Sequence, residues 1–174
     1  MKRLVPDCVI LGLLALQPAH GYELLERFKT KDQLGRIWNM STSQLYAVLN
    51  RLHEEDSIVG KKLVPKDGPP RTQYTITDKG QSQVDSWLSE TNPSTSIHRI
   101  RVMFLSRLYI ADLLGEPLMG IFDNQISVCQ SQSQKLFDKR QISDSWIEKL
   151  TLDFVQNQLR AVLNWLEEKK ILMT

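Results

Sequence analysis

Apolar residues recur at the spacing of an amphipathic helix in three short segments near the start of the chain. We predict that the first helix has Asp7 as its N-cap and ends at Pro18, and that the second opens at Gly21. The third follows a turn that ends in two good capping residues, Ser41 and Thr42. The three apolar stripes are, in order, Val9, Ile10, Leu13, Leu14 and Leu16; Leu24, Leu25 and Phe28; and Leu45, Val48, Leu49 and Leu52.

The pattern changes after the third helix. Two short strands are predicted at Ile58–Val64 and Arg71–Ile76, and residues 65–70 between them contain the Pro and Gly typical of a turn. Thr77 then caps a helix that carries Val84, Trp87 and Leu88. Three short helices followed by a β-hairpin is the layout of a winged helix-turn-helix, in which the third helix enters a DNA groove and the hairpin, the wing, lies beside it.

The second half of the chain is predicted to be helical throughout. Asn92–Ser96 is the best boundary, which gives a DNA-binding domain at 1–92 and a helical dimerisation domain at 93–174. A first helix with an apolar stripe at Ile97, Ile100, Phe104, Leu105 and Leu108 ends at Gly115-Glu116-Pro117. Two longer helices follow, Leu118–Arg140 and Asp144–Ile171, and the stripe of the second contains Ile147, Leu150, Phe154, Leu159, Val162, Leu163 and Leu166. Because single helices cannot bury such stripes, we expect them to pair with each other and with a second chain as a helix bundle. The predicted fold class is mostly α, or α+β if the small wing is counted.

Composition narrows the class of function. The net charge of +2 is small, so any positive DNA-binding surface must be local, and Lys61, Lys62, Lys66 and Arg71 of the hairpin supply one. No apolar run is long enough to span a bilayer, and Asp7 interrupts the only segment that resembles a signal peptide, so we expect a cytoplasmic protein without membrane contact. The histidines and cysteines lack metal-ligand spacing, and no catalytic constellation is visible. We therefore expect neither an enzyme nor a cofactor.

Candidate DNA contacts lie on the third helix, on the face opposite its apolar stripe. Gln44 and Asn50 could each pair bidentately with adenine, whereas hydroxyl groups suit bases or phosphates. The alternative for Ser41 and Thr42 is that they only cap the helix. The predicted face consists of Ser43, Gln44, Tyr46, Ala47, Asn50 and Arg51, with Ser41 and Thr42 at its start.

These segments together resemble the PadR family of bacterial transcriptional regulators. The residues that carry the resemblance are Leu11–Leu14, His20–Leu24, Trp38, Leu45–Leu52 and Arg71–Gly80. The resemblance implies that Gly21, Tyr22 and Tyr46 belong to the DNA face, that Arg71 contacts DNA and that Trp38 is a core residue. The alternative for the two tyrosines is that they only pack against the domain. It also implies that Trp87 lines a pocket between subunits for a flat aromatic ligand, although an ordinary core or interface residue is the alternative. The chain departs from the family at Asp56, where a helix-ending glycine is usual, and we expect Asp56 to take the left-handed conformation.

The expected function is that of a homodimeric regulator that binds a palindromic operator. Repression by occupying a promoter is the expected mechanism, with relief by a small-molecule effector or by simple competition, and activation remains open. Two other classes stay in view: a winged-helix interaction module that has lost DNA binding, and an enzyme. The basic residues of the hairpin favour a DNA-binding protein over the first, and the missing catalytic cluster disfavours the second.

Overall fold

The computed structural model describes residues 4–31, 34–64 and 70–172. The helices and strands are, in chain order, α1 (Asp7–Leu16), β1 (Ala19–His20), α2 (Gly21–Lys29), a 3₁₀ turn (Leu34–Arg36), α3 (Thr42–Glu54), β2 (Ile58–Leu63), β3 (Arg71–Ile76), α4 (Asp78–Leu88), α5 (Ile97–Arg99), a π-helical segment (Ile100–Phe104), α6 (Leu105–Leu114), α7 (Met119–Ile142) and α8 (Trp146–Ile171). This confirms the predicted fold class, mostly helical with a small sheet. No helix of the described ranges is both long and apolar enough to cross a membrane.

The chain folds into two compact units that differ from the predicted domains in two respects, the placement of α6 and a division after Ser89 and not after residue 92. The first unit combines Met1–Ser89 with Leu105–Glu116, and the second combines Glu90–Phe104 with Pro117–Thr174. Helix α6 therefore packs with the N-terminal elements, although it lies beyond the predicted boundary. The predicted domain boundary at residue 92 concerns independently folding parts and stays a prediction.

The sheet of the first unit has three antiparallel strands in the order β1-β3-β2. Strands β2 and β3 form the predicted hairpin, in register from Ile58 opposite Ile76 to Leu63 opposite Arg71. Strand β1, in which Ala19 pairs with Tyr74, was not predicted. A strand of two residues is too short to show the alternation of apolar and polar residues by which a strand is recognised in a sequence.

Helix α1 forms the centre of the first unit, and six consecutive residues from Val9 to Leu14 are buried. It is buried on all sides because it packs against α4, α6 and β3. At Gly12 a Cβ atom would collide with the side chain of Ile110 on α6, so the two helices approach closely only because residue 12 is glycine. Leu16, predicted on the apolar face, is 43% exposed. It is the last residue of the helix and lies beyond this packing.

Two predicted helix caps have different outcomes. Thr77 caps α4, because its hydroxyl accepts a hydrogen bond of 3.2 Å from the Gly80 amide. Asp7, however, is the first helical residue of α1 rather than its N-cap, and Pro6 precedes it without a side-chain cap. The carboxylate of Asp7 is instead paired with the guanidinium of Arg51. A long-range ion pair of this kind has no local signal in the sequence.

The turn after α3 has the predicted left-handed residue. Asp56 has a φ of +55°, which confirms the expected left-handed conformation. Its carbonyl accepts a hydrogen bond of 2.7 Å from the Thr77 hydroxyl, and the Ser57 amide donates to the Leu52 carbonyl at 2.9 Å. The two hydrogen bonds hold the turn against the start of α4, so a non-glycine residue is tolerated in an unusual backbone conformation.

The helix predicted from Ile97 onward is present without a gap from Ile97 to Leu114, but it is not α-helical throughout. It begins as α5, passes through the π-helical segment and continues as α6. The π-helical segment buries Ile100, Val102 and Phe104, so the predicted stripe through Leu105 and Leu108 is wrong beyond Phe104, and both leucines are half-buried. A π turn adds a residue to the helical repeat and rotates the buried face, which an analysis that assumes 3.6 residues per turn cannot follow.

Helices α7 and α8 form an antiparallel pair in the second unit and match the predicted segments to within two residues at each end. Phe104 packs edge-to-face against Phe122 of α7 and Trp165 of α8, at centroid distances of 5.2 and 6.3 Å. The buried side of α8 consists of Leu152, Leu159, Leu163 and Leu166. The first half of the predicted stripe of α8 is not part of this core.

Candidate nucleic-acid interface

Helix α3 separates its apolar and polar residues onto two sides, as predicted. Leu45, Val48, Leu49 and Leu52 are buried, and their spacing of three or four residues places them on one stripe. The opposite face carries Ser43, Tyr46, Ala47 and Asn50, again at helical spacing, and all four are exposed. The helix is therefore anchored by one side and presents the other to a partner.

The start of α3 is fixed by a reciprocal capping box. The Ser41 hydroxyl accepts a hydrogen bond of 3.2 Å from the Gln44 amide, and Gln44 Oε1 accepts one of 2.9 Å from the Ser41 amide. The Ser41 hydroxyl also lies 3.1 Å from that of Ser43. Of the four residues predicted at the helix start, Ser41 is thus occupied by capping. Thr42 and Ser43 are exposed, and Gln44 uses its oxygen in the cap.

The side chains of Asn50 and Arg51 differ in the bonds that they form within the protein. Asn50 is exposed, and in the described part of the chain its side chain has no hydrogen-bond partner. Arg51 is half-buried and forms an ion pair with Asp7 at the start of α1. The pair fixes the guanidinium beside α3 and offsets its charge. A contact between Arg51 and a phosphate would require Asp7 to release or share the guanidinium.

Gly21 and Tyr46 bring the start of α2 against α3. Gly21 is buried, and a Cβ atom at this position would lie 2.8 Å from Tyr46 Oη and 2.9 Å from Tyr46 Cζ. Such distances are too short for real contacts, so only glycine leaves room for the tyrosine ring. Gly21 therefore has a packing role that the sequence did not reveal. Tyr46 remains 42% exposed and keeps part of its ring on the outer face.

Tyr22 lies beside this contact and is 51% exposed. Its ring is stacked on that of His20 with centroids 5.7 Å apart, and its hydroxyl donates a bond of 3.3 Å to Glu23. Tyr74 of β3 is more enclosed, and burial, followed by the proximity of Tyr46, raises the pKa of its phenol. Tyr22 and Tyr46 thus both keep exposed surface, as their predicted assignment to a DNA face requires.

The wing carries basic residues on both of its faces. Arg71 pairs with Leu63 and Gln73 pairs with Lys61, so Lys61 and Arg71 share one face of the hairpin. Lys62, opposite Thr72, points to the other face. All three basic residues are exposed, and none forms an ion pair within the described ranges. Lys66 lies outside the described residues.

Trp87 is buried in the first unit, and its surroundings were not foreseen. It is 8% exposed, and the guanidinium carbon of Arg107 lies 5.6 Å from its ring centroid, within cation–π distance. In the described structure the indole Nε1 has no hydrogen-bond partner. The burial of Trp87 and its contact with Arg107 thus support the alternative that it is a core residue. The role in a ligand pocket stays a prediction.

Ser106, which precedes Arg107 in α6, has a role that the sequence did not predict. Ser106 is completely buried, and its hydroxyl accepts a hydrogen bond of 2.8 Å from Trp38 Nε1. Trp38 lies just before α3, so it links α6 to the start of that helix. The available signal was a Ser-Arg pair inside an apolar helical run, which indicates polar groups buried with specific partners.

The comparisons with known proteins agree with this geometry. Residues 10–86, which run from α1 to α4, match the model of the transcriptional regulator PadR-like family. The negative transcriptional regulator PadR of Bacillus subtilis (strain 168) is 29% identical over 129 residues, which are 74% of this chain and 68% of the relative. The crystal structure of Bacillus subtilis PadR in complex with operator DNA has a TM-score of 0.50 at 22% identity, with 100% of both chains covered. A crystal structure of the same relative with p-coumaric acid has a TM-score of 0.45 at 22% identity, with 99% of this chain and 98% of that chain covered.

The matched family consists of transcriptional regulators and not of enzymes. The likeness in fold to the DNA-bound relative confirms the winged-helix arrangement. Among the described residues, no group of three His, Cys, Asp or Glu side chains is arranged to hold a metal ion. The exposed face of α3 and the basic wing are therefore the features from which a function is inferred.

Proposed function

We propose that this chain is a repressor that binds a palindromic operator as a homodimer, with α3 in the major groove and the wing along the backbone. The observation that carries the proposal is the exposed row on α3, which contains Ser43, Tyr46, Ala47 and Asn50. Its small and hydrogen-bonding side chains fit a groove lined by base edges. The buried stripe opposite holds the helix to the domain, as an inserted helix requires.

The proposed contacts divide into two groups. Asn50, whose amide is unbonded in the described part of the chain, is the candidate for bidentate pairing with adenine. Lys61, Lys62 and Arg71 carry the exposed positive charge of the wing and are the candidates for phosphate contacts, which position the protein without reading sequence. Tyr22 is the candidate for a hydroxyl contact to phosphate at the edge of the site.

The proposed dimer rests on the exposed apolar residues of α8. Ile147, Leu150 and Phe154 are 54%, 55% and 63% exposed, and their spacing places them on one stripe of the helix. Trp146, next to them, is 74% exposed. A cluster of large apolar side chains left in water is unusual for a monomer and is typical of a surface that meets a partner. A second copy of this chain is the proposed partner.

Relief by an effector is the remaining part of the proposal. Trp87 offers a flat indole for stacking and an Nε1 donor that could bind a polar group. A ligand that stacks there would have to displace Arg107 from the ring. The ligand can relieve repression only if it binds the DNA-free arrangement more tightly than the DNA-bound one. The first compound to test is p-coumaric acid, by titration of tryptophan fluorescence in the full chain and in Trp87→Phe.

Selection from a randomised duplex pool at two salt concentrations tests the proposal directly. We expect a palindrome to be enriched, with half-sites about one DNA turn apart or a multiple of it. Three wing cations from each subunit predict that log K falls with log salt with a slope of about −5. Binding without enrichment of any sequence would refute specific reading, and no binding at either salt would favour an interaction module.

Two substitutions separate reading from positioning. Asn50→Ala should lose preference at one base position in each half-site and keep the salt slope. Arg71→Ala should weaken binding to all sequences alike and reduce the slope by about one for each phosphate that is no longer neutralised. If the two variants had the same effect on base preference and on salt dependence, the proposed division of roles would be wrong.

The dimer is tested in the full chain, because truncation after residue 92 would also remove α6 from the core of the first unit. Phe154→Asp places a charge inside the exposed stripe and should give a monomer in sedimentation equilibrium. Ser86→Asp, which adds the same charge at an exposed position of α4, is the control and should remain dimeric. A Phe154→Asp variant that dimerised as tightly as the control would refute this surface as the interface.

A further inference from the structure

Gln44 is tied into the helix cap by the part of its side chain that bidentate adenine reading requires. The atom of Gln44 that lies 2.9 Å from the Ser41 amide faces an N–H group, which can only donate. That atom must therefore be the carbonyl oxygen Oε1. This bond fixes the position of the Gln44 side-chain amide. The return bond, from the backbone N–H of Gln44 to the Ser41 hydroxyl, closes the capping box.

This arrangement leaves the Nε2 amino group as the part of the Gln44 side chain without a bond in the capping box. Its Nε2 amino group has no hydrogen-bond partner within the described ranges, and the residue is exposed at the start of α3. The amino group carries two hydrogens and can only donate. Bidentate pairing with adenine needs the carbonyl oxygen as an acceptor beside the amino donor. Oε1 would have to accept from adenine N6 with its remaining lone pair, in the orientation that the bond to the Ser41 amide already fixes, or the box would have to open.

A donor at this position matches a particular set of bases. In the major groove guanine presents two neighbouring acceptors, O6 and N7, and thymine presents the acceptor O4. Cytosine presents a donor there, and adenine places its N6 donor beside its N7 acceptor. From this chemistry, and on the basis of the DNA binding proposed above, we infer that Gln44 acts as a donor and specifies a guanine or thymine in each half-site, not an adenine.

Asn50 provides the contrast on the same helix. It has no capping role, since α3 begins eight residues earlier at Thr42, and its amide forms no hydrogen bond with the described residues. The two amides on one helix therefore read different bases. Gln44 reads a carbonyl acceptor, and Asn50 reads the donor and acceptor pair of adenine.

The test uses the Gln44→Glu substitution in the full chain. A glutamate keeps an oxygen for the Ser41 amide, so the capping box and the melting temperature of the protein should be preserved. It replaces the outward amino group with a second oxygen, which can accept from cytosine N4. Selection from the randomised pool should show about a tenfold loss of preference at one half-site position, with a shift from guanine or thymine towards cytosine. Asn50→Asp, which adds the same charge outside the box, should affect a different position.

The outcomes are distinguishable. If the position that depends on Gln44 is adenine in the wild-type selection, or if no position changes in Gln44→Glu, the inference is overturned. A shift from guanine or thymine towards cytosine, with an unchanged melting temperature, supports it. If the wild-type protein enriches no sequence at all, the proposed function fails, and this inference fails with it.

Discussion

The hydrogen bond between Trp38 and Ser106 gives the sharpest prediction about the fold. It joins the residue before the turn into α3 to helix α6, and the Ser106 hydroxyl is completely buried. Ser106→Ala leaves the indole N–H of Trp38 without its acceptor. An unsatisfied buried donor costs about 1–3 kcal/mol, and the half-buried indole places this case near the lower end. Alanine has a better helix propensity than serine, which stabilises α6 by about 0.5 kcal/mol. We therefore expect the free energy of unfolding to fall by a net amount of about 1–2 kcal/mol.

Urea unfolding followed by circular dichroism measures this loss as a lower midpoint with an unchanged slope. Ser86→Ala, at an exposed serine of α4, is the control and should change the free energy of unfolding by less than about 0.5 kcal/mol. In a Trp38→Phe background no donor remains, so Ser106→Ala should then be nearly neutral. Equal effects of Ser106→Ala and Ser86→Ala in the wild-type background would refute the reasoning.

Three further predictions concern titratable groups. Because burial raises the pKa of Tyr74 above 10.0, its contribution to the free energy of unfolding is complete below pH 10.0 and is lost as the pH rises through the raised value. Tyr74→Phe should therefore flatten the alkaline loss of stability, measured by denaturation across that range. The hydrogen bond from Ser143, followed by the contacts of a lysine, lowers the pKa of Glu148 below 4.5, so its contribution is lost as the pH falls through the lowered value. Ser143→Ala should bring the pKa of Glu148 back towards 4.5 in an NMR titration. Cys129 is completely buried, and burial also raises the pKa of its thiol, so a thiol reagent should modify Cys129 only when the protein unfolds.

The sequence was sufficient where one physical signal dominates. The stripe on α3 is visible because buried residues at intervals of three and four residues leave the other face polar, and the structure has the same separation. The capping role of Thr77 and the left-handed Asp56 were predictable for a similar reason, since a few neighbouring residues determine each. Local rules of this kind do not depend on the rest of the fold.

The sequence was insufficient where distant residues determine the outcome. The ion pair of Asp7 with Arg51 and the bond of Ser106 to Trp38 join residues far apart in the chain, so no periodicity reveals them. At the candidate site the residue type of Gln44 alone also did not show how its side chain is bonded. Its residue type suggested a bidentate reader, whereas in the structure its carbonyl oxygen already accepts a hydrogen bond from the Ser41 amide.

The grouping of Leu105–Glu116 with Met1–Ser89 has a consequence for how the protein is made. The ribosome delivers the chain from its N-terminus, so α1 emerges long before the helix that covers it at Gly12. Synthesis of the stretch from residue 90 to residue 116 takes about 1–5 s at ~5–20 residues per second. During that interval α6 does not yet cover the apolar side of α1, and this side stays exposed to water. We therefore expect the nascent chain to bind chaperones. An mRNA cut before this point therefore yields no complete first unit, although every residue of α3 and the wing has already been translated.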